Sequence, residues 1–145
     1  MVRWSIHHCL PESTCPLSGG PRGWGKGFLP RQILRNGREL VAQGWAQSAH
    51  ARDRDGRPVH PWSADARSWS VLGAIVCGDE THRGRVPIGR LAEAVILFAS
   101  TMNTSSLNDW NDKSERTRAD VLAAFDAAIA STMQRGEGLV RHSSA

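Results

Sequence analysis

The sequence has no run from which a membrane helix could be built. Its longest charge-free stretch, between Glu93 and Asp109, contains Ser100, Thr101, Asn103, Thr104, Ser105, Ser106 and Asn108, far from the roughly 20 apolar residues a span requires. A secretory signal is also missing. The first ten residues lack a continuous apolar core, and Pro11 and Glu12 break the chain immediately after them, so a cytoplasmic location is expected. Cysteine is scarce: Cys9, Cys15 and Cys77 are an odd number, which argues against a disulfide framework. No Gly-x-x-x-x-Gly-Lys-Ser/Thr run occurs, and Gly23, Gly25 and Gly27 come after no strand. Mononucleotide and dinucleotide folds lose their main support. No internal repeat suggests a solenoid.

The chain does hold one domain's worth of residues. Its 145 residues, 40% apolar and 22% charged, suit a single globular core. The formal charge of +4 and the pI of about 9.6 suggest nucleic-acid binding only if the basic residues cluster. They divide instead. Residues 1–28 hold three basic residues and one acid, and residues 29–145 hold fifteen and thirteen.

Pro11, Pro16 and Pro21, with five glycines between Gly19 and Gly27, break any regular element in residues 1–28. This segment is read as a flexible leader or as a misassigned start. Regular patterning begins at Pro30. Ile33, Leu34, Leu40 and Val41 share one face of a helix entered at Pro30 and ended at Gly44. The Asp55-Gly56 pair marks a small hairpin or ordered loop near residues 45–60. Ser63 is placed to cap a second helix, with Ala66, Trp69, Leu72, Gly73 and Val76 on its buried face and Gly78 at its end. Residues 79–85 read as a polar surface loop. After Pro87 a third stripe comprises Ile88, Leu91, Ala92, Val95, Phe98 and Met102. Thr117 and Asp120 form a short-acid capping box for a fourth helix carrying Val121, Leu122, Phe125, Ala128, Ile129 and Thr132 to Gly136. Residues 137–145 read as a frayed tail. The expected fold is therefore all-α, a compact bundle of about four amphipathic helices over residues 29–136.

Candidate chemistry is sparse. His7, His8, Cys9, Cys15, Cys77 and His82 match no standard zinc spacing, so neither a metal nor another cofactor is expected. Cys77 falls at the end of the predicted second helix, where the dipole disfavours a thiolate. His50, His60 and His82 lie in loops, with no pattern that sets one beside Ser70 or Cys77. The Asp109-Trp110-Asn111-Asp112 segment sets a large aromatic among short polar groups. Trp110 could wall a ligand while Asn111 and Asp112 offer acceptors; alternatively Trp110 packs on the bundle and the two Asx residues satisfy nearby backbone. The same choice applies to Trp45. Asp53 and Asp55 are interleaved with Arg52, Arg54 and Arg57, as in a solvated, locally neutralised loop.

Gly44-Trp45, Ala51-Arg52-Asp53 with Gly56, the Trp69–Ile75 segment, Trp110-Asn111-Asp112, Arg116-Thr117 and the Val121–Ile129 helix together resemble a small uncharacterised family of bacterial and phage proteins. The likeness spans about residues 30–132. It implies a compact, mainly helical domain in a phage or mobile-element context and brings no established activity. Family members commonly carry cysteine where this chain has Ser70, a departure that weakens cysteine chemistry there.

Three functions are weighed. A non-catalytic binding or accessory protein would use Trp45, Asp53, Trp62, Trp110, Asn111 and Asp112 to hold a protein partner, tryptophans being frequent interface anchors. A small enzyme would need His50, Asp53, Asp55, Asn111 and Asp112 to converge. Nucleic-acid binding would use Arg31, Arg35 and Arg38 on the first helix; that partner is disfavoured because such residues ordinarily form the solvated face of an amphipathic helix.

Overall fold

The computed structural model describes residues 29–78 and 88–142, with side chains described at 30–78 and 89–135. Its elements run α1 (Leu29–Gln43), β1 (Ala51–Arg52), β2 (Ser68–Trp69), α2 (Val71–Gly78), α3 (Ile88–Thr101), α4 (Leu107–Asn111) and α5 (Arg118–His142). The architecture is mostly helical with a two-stranded antiparallel sheet, so the all-α expectation holds only approximately. The expected leader and the 79–85 loop lie outside the described residues, as do residues 143–145 of the expected tail.

α1 starts with Pro30 in its first turn, as the missing proline N–H allows, and buries Ile33, Leu34, Leu40 and Val41. α5 buries Val121, Ala124, Phe125 and Ala128 against it. Arg38 on α1 forms a two-pronged ion pair with Asp126 on α5, Nε to Oδ1 at 2.6 Å and Nη2 to Oδ2 at 3.1 Å. This hydrogen bond and the facing carboxylate raise the Arg38 pKa.

α3 buries Ala94, Leu97 and Phe98, whereas Leu91, Ala92, Val95 and Met102 are half-buried. The buried face is thus wider than the expected stripe, because α3 meets α1, α2 and α5 together. Of that stripe, Phe98 is buried and Leu91, Val95 and Met102 pack half-buried against the core, while the Ile88 side chain lies outside the described residues. The rings of Phe98 and Phe125 meet edge to face at 4.9 Å between centroids, in a geometry aromatic pairs favour.

The second helix differs most from expectation. It begins at Val71 rather than after Ser63, because Ser68 and Trp69 pair with Arg52 and Ala51. Ser63 serves only a local turn, its Oγ accepting from Asp65 N at 3.2 Å. Ser70 takes the capping role instead, its Oγ accepting from Gly73 N at 3.1 Å. The expected Asp-Gly turn is present: Gly56 N donates to Asp53 O at 3.1 Å, and a bridge joins Arg52 to Pro58. Gly56 has φ +79°, a conformation that glycine adopts without a side-chain penalty.

α5 begins at the expected box. Thr117 N donates to Asp120 Oδ2 at 2.9 Å, and Asp120 N donates to Thr117 Oγ1 at 3.2 Å. The helix does not stop at Gly136 but continues to His142. Thr117→Ala should lower unfolding stability by about 1 kcal/mol, measurable by urea denaturation. The backbone N–H and hydroxyl of Thr117 hold the Asp120 carboxyl below its usual pKa. A depressed folded-state pKa stabilises above the unfolded value and loses that contribution as pH falls through the folded one. The deficit of an Asp120→Ala variant should accordingly shrink in acid, and a deficit there independent of pH would contradict the box.

Candidate functional site

α4 is only five residues long, and Ser106 caps it by accepting from Asp109 N at 3.2 Å. Leu107, Trp110 and Asn111 face inward. Trp110 sets its ring edge to face with Phe98 at 5.7 Å. The Arg116 guanidinium lies 3.8 Å from the Trp110 ring centroid, and its Nε donates to Trp110 O at 3.1 Å. Stacking and hydrogen bonding together hold the chain after α4 against that ring. Trp110 therefore forms part of the core.

Asn111 is 1% exposed. Its Oδ1 accepts from Trp45 Nε1 at 2.9 Å and from Val71 N at 3.2 Å. Its Nδ2 donates to Ala46 O at 3.0 Å and to Asp112 Oδ1 at 2.8 Å. Two donors face one end of the amide and two acceptors the other, so its orientation is fixed and its full bonding capacity is used. An ionised carboxylate of the same length could accept but not donate here, so at neutral pH the amide combines both functions at one place.

The main chain around this residue is fastened as well. Gln47 Nε2 donates to Asn111 O at 3.0 Å, a carbonyl at the end of α4, and to Lys113 O at 2.9 Å, which also accepts from Arg116 N at 3.0 Å. Ser48 N donates to Asp112 Oδ1 at 2.9 Å, and Ser48 itself has φ +59°. A non-glycine residue in this region is sparsely populated and persists where neighbouring contacts over-determine it. Residues 45–48 are thus joined to the end of α4 and to the start of α2.

Farther along, Asp53 Oδ1 accepts from Asp55 N and Arg57 N, each at 2.9 Å. Arg52 donates from Nε and Nη2 to Gln47 O at 3.1 and 3.0 Å, and from Nη1 to Gly56 O at 2.7 Å. Trp62 is half-buried against the core, beside the His60 ring at 6.0 Å. The neighbouring Pro61 O accepts from Trp69 Nε1 at 2.9 Å and from Cys77 Sγ at 3.0 Å.

The six candidate residues therefore occupy two places. Trp45, Asn111 and Asp112 meet at the joint, which Trp110 backs from the core, whereas Asp53 and Trp62 belong to the irregular segment the joint holds. Among the described residues, no group of three or more His, Cys, Asp or Glu comes together in a way that could hold a metal ion. Gln47, Ser48 and Arg116 also contribute to the joint, and no periodicity or spacing distinguishes them in the sequence.

The joint and the irregular segment both lie inside the stretch matched by a family model, that of a family of unknown function (DUF6197), over residues 26–131. The chain belongs to this family. The match agrees with the extent of the resemblance read from the sequence, and membership of DUF6197 carries no assigned activity. No curated protein and no solved structure matches the chain. Among the described residues, no helix is long and apolar enough to cross a membrane.

Proposed function

We propose that this DUF6197 chain is a non-catalytic binding protein whose contact surface is the irregular segment 45–62. The observation that supports this reading is the fastening of that segment. Its root is held by Asn111, Gln47 and Asp112, while Ser48, His50, Arg54, Asp55, Arg57, Pro58 and His60 stay exposed. Loops held on a rigid scaffold carry binding functions disproportionately, and preorganisation lowers the entropic cost of association. Trp45 and Trp62, both half-buried, have part of their surface left for contact.

Trp110 and Asn111 act from behind this surface, since both are buried. A protein partner and a cytoplasmic setting complete the reading, with a bacterial or phage mobile-element context suggested by the resemblance. Nucleic-acid binding through α1 has less support, because the Arg38 guanidinium is engaged by Asp126.

A photo-reactive residue placed at exposed Asp55, with a second variant carrying it at exposed Gln43 on α1, tests the proposal in the native host. A discrete protein adduct from position 55 and none from position 43 is expected. The same adducts from both positions, or none from position 55, would overturn it.

A further inference from the structure

We infer that the tip of this segment, Arg54 and Arg57 on the Asp53–Arg57 turn, recognises an acidic segment of a partner protein. The inference rests on the binding reading above and names the chemistry of the partner. Sequence alone suggests a turn in which arginines and aspartates neutralise one another. The structure distributes these charges differently.

The Asp53 carboxylate is turned onto the backbone N–H groups of Asp55 and Arg57. The Arg52 guanidinium is spent on the carbonyls of Gln47 and Gly56. Arg54 and Arg57 are both exposed, and the ion pairs of the described residues involve neither of them. A tight turn closed by Gly56 N to Asp53 O and by Asp53 N to Arg57 O, at 3.1 and 2.9 Å, presents the two guanidinium groups on a fixed backbone.

A guanidinium pairs with a carboxylate through two parallel hydrogen bonds, so a glutamate- or aspartate-bearing segment fits this tip. A nucleic acid fits less well. Its affinity depends on many neutralised phosphates along an extended basic surface, whereas this tip offers only two arginines.

Titrating the full chain with an oligo-glutamate peptide, and following backbone amide shifts by NMR, tests the assignment. Shifts should concentrate on residues 53–60, weaken as salt is added, and require at least about tenfold more peptide in the R54E/R57E variant. Both substituted positions are exposed, and an unchanged amide spectrum away from the turn checks that the variant is folded. Shifts centred on exposed Arg35 of α1, an equal response in the variant, or an equal response to oligo-lysine would overturn the inference. Tighter binding of a single-stranded oligonucleotide at the same tip would also overturn it. The cross-link from position 55 would survive such a failure, whereas its loss would overturn the binding reading itself.

Discussion

Replacing Asn111 by alanine should cost about 3–5 kcal/mol of unfolding stability, enough to leave a domain of this size marginal. Removal of the amide leaves Val71 N and Ala46 O without their buried partner and deprives Trp45 Nε1 of its acceptor. Each buried orphan costs about 1–3 kcal/mol, and the half-buried indole adds less. The small cavity adds to the loss. A deficit under about 1 kcal/mol in urea denaturation would show that the joint carries little energy. Asn111→Asp separates shape from bonding. It retains an acceptor for Trp45 and Val71 but turns its second oxygen toward Ala46 O and the Asp112 carboxylate. Such surroundings raise the folded-state pKa of the introduced carboxyl. This variant should therefore gain stability as pH falls through that raised value, because a protonated carboxyl can again donate to Ala46 O.

Gly73→Ala should be comparably severe, on the order of 3 kcal/mol or more. A Cβ at Gly73 would overlap the carbonyl oxygen of His50. That oxygen already accepts from Ser70 N at 3.0 Å, so the approach of residue 50 to α2 is backbone against backbone. Neither side can yield cheaply, because α2 is buried in the core and residues 45–48 are held by Asn111. Gly89 in α3 provides the control. It is exposed, and a Cβ there meets nothing within 4 Å, so Gly89→Ala, in the first turn of α3, should change stability by no more than about 1 kcal/mol and not destabilise. Similar effects at the two positions, by thermal or urea unfolding, would contradict the packing account.

These two sites also show what the sequence could and could not disclose. α1 and α5 are legible because their apolar residues repeat at helical spacing, and the Thr117–Asp120 box marks the start of α5. α4 is too short to develop a period, and its cap at Ser106 resembles any loop serine. Periodicity misplaces the start of α2 because Ala66 and Trp69 fit a helical stripe, yet Trp69 is buried from a strand. Two residues of pairing with Ala51–Arg52 override that periodicity and leave no alternating pattern of their own.

The site is visible in part. Trp45, Asn111 and Asp112 stand out in the sequence as residue types, but their meeting depends on contacts more than sixty residues apart. The expectation that loop Asx residues bond nearby backbone applies to Asp53, whose partners are two and four residues away. It does not apply to Asn111, whose partners Trp45, Ala46 and Val71 come from two distant parts of the chain. Burial decides the difference: an amide removed from water must find partners wherever the fold brings them. The same accounting frees Arg54 and Arg57, since it commits Asp53 and Arg52 to backbone groups that sequence spacing does not reveal.

The central claim is that Asn111 fixes the root of the 45–62 segment to the helical body. Hydrogen exchange of the Trp45 indole N–H and the Val71 amide, monitored together by NMR, tests it most directly, because both groups donate to Asn111 Oδ1. Both should exchange at least about a hundredfold more slowly than in an unfolded chain. A Trp45 indole exchanging at its unprotected rate, while Val71 stays protected, would contradict the claim.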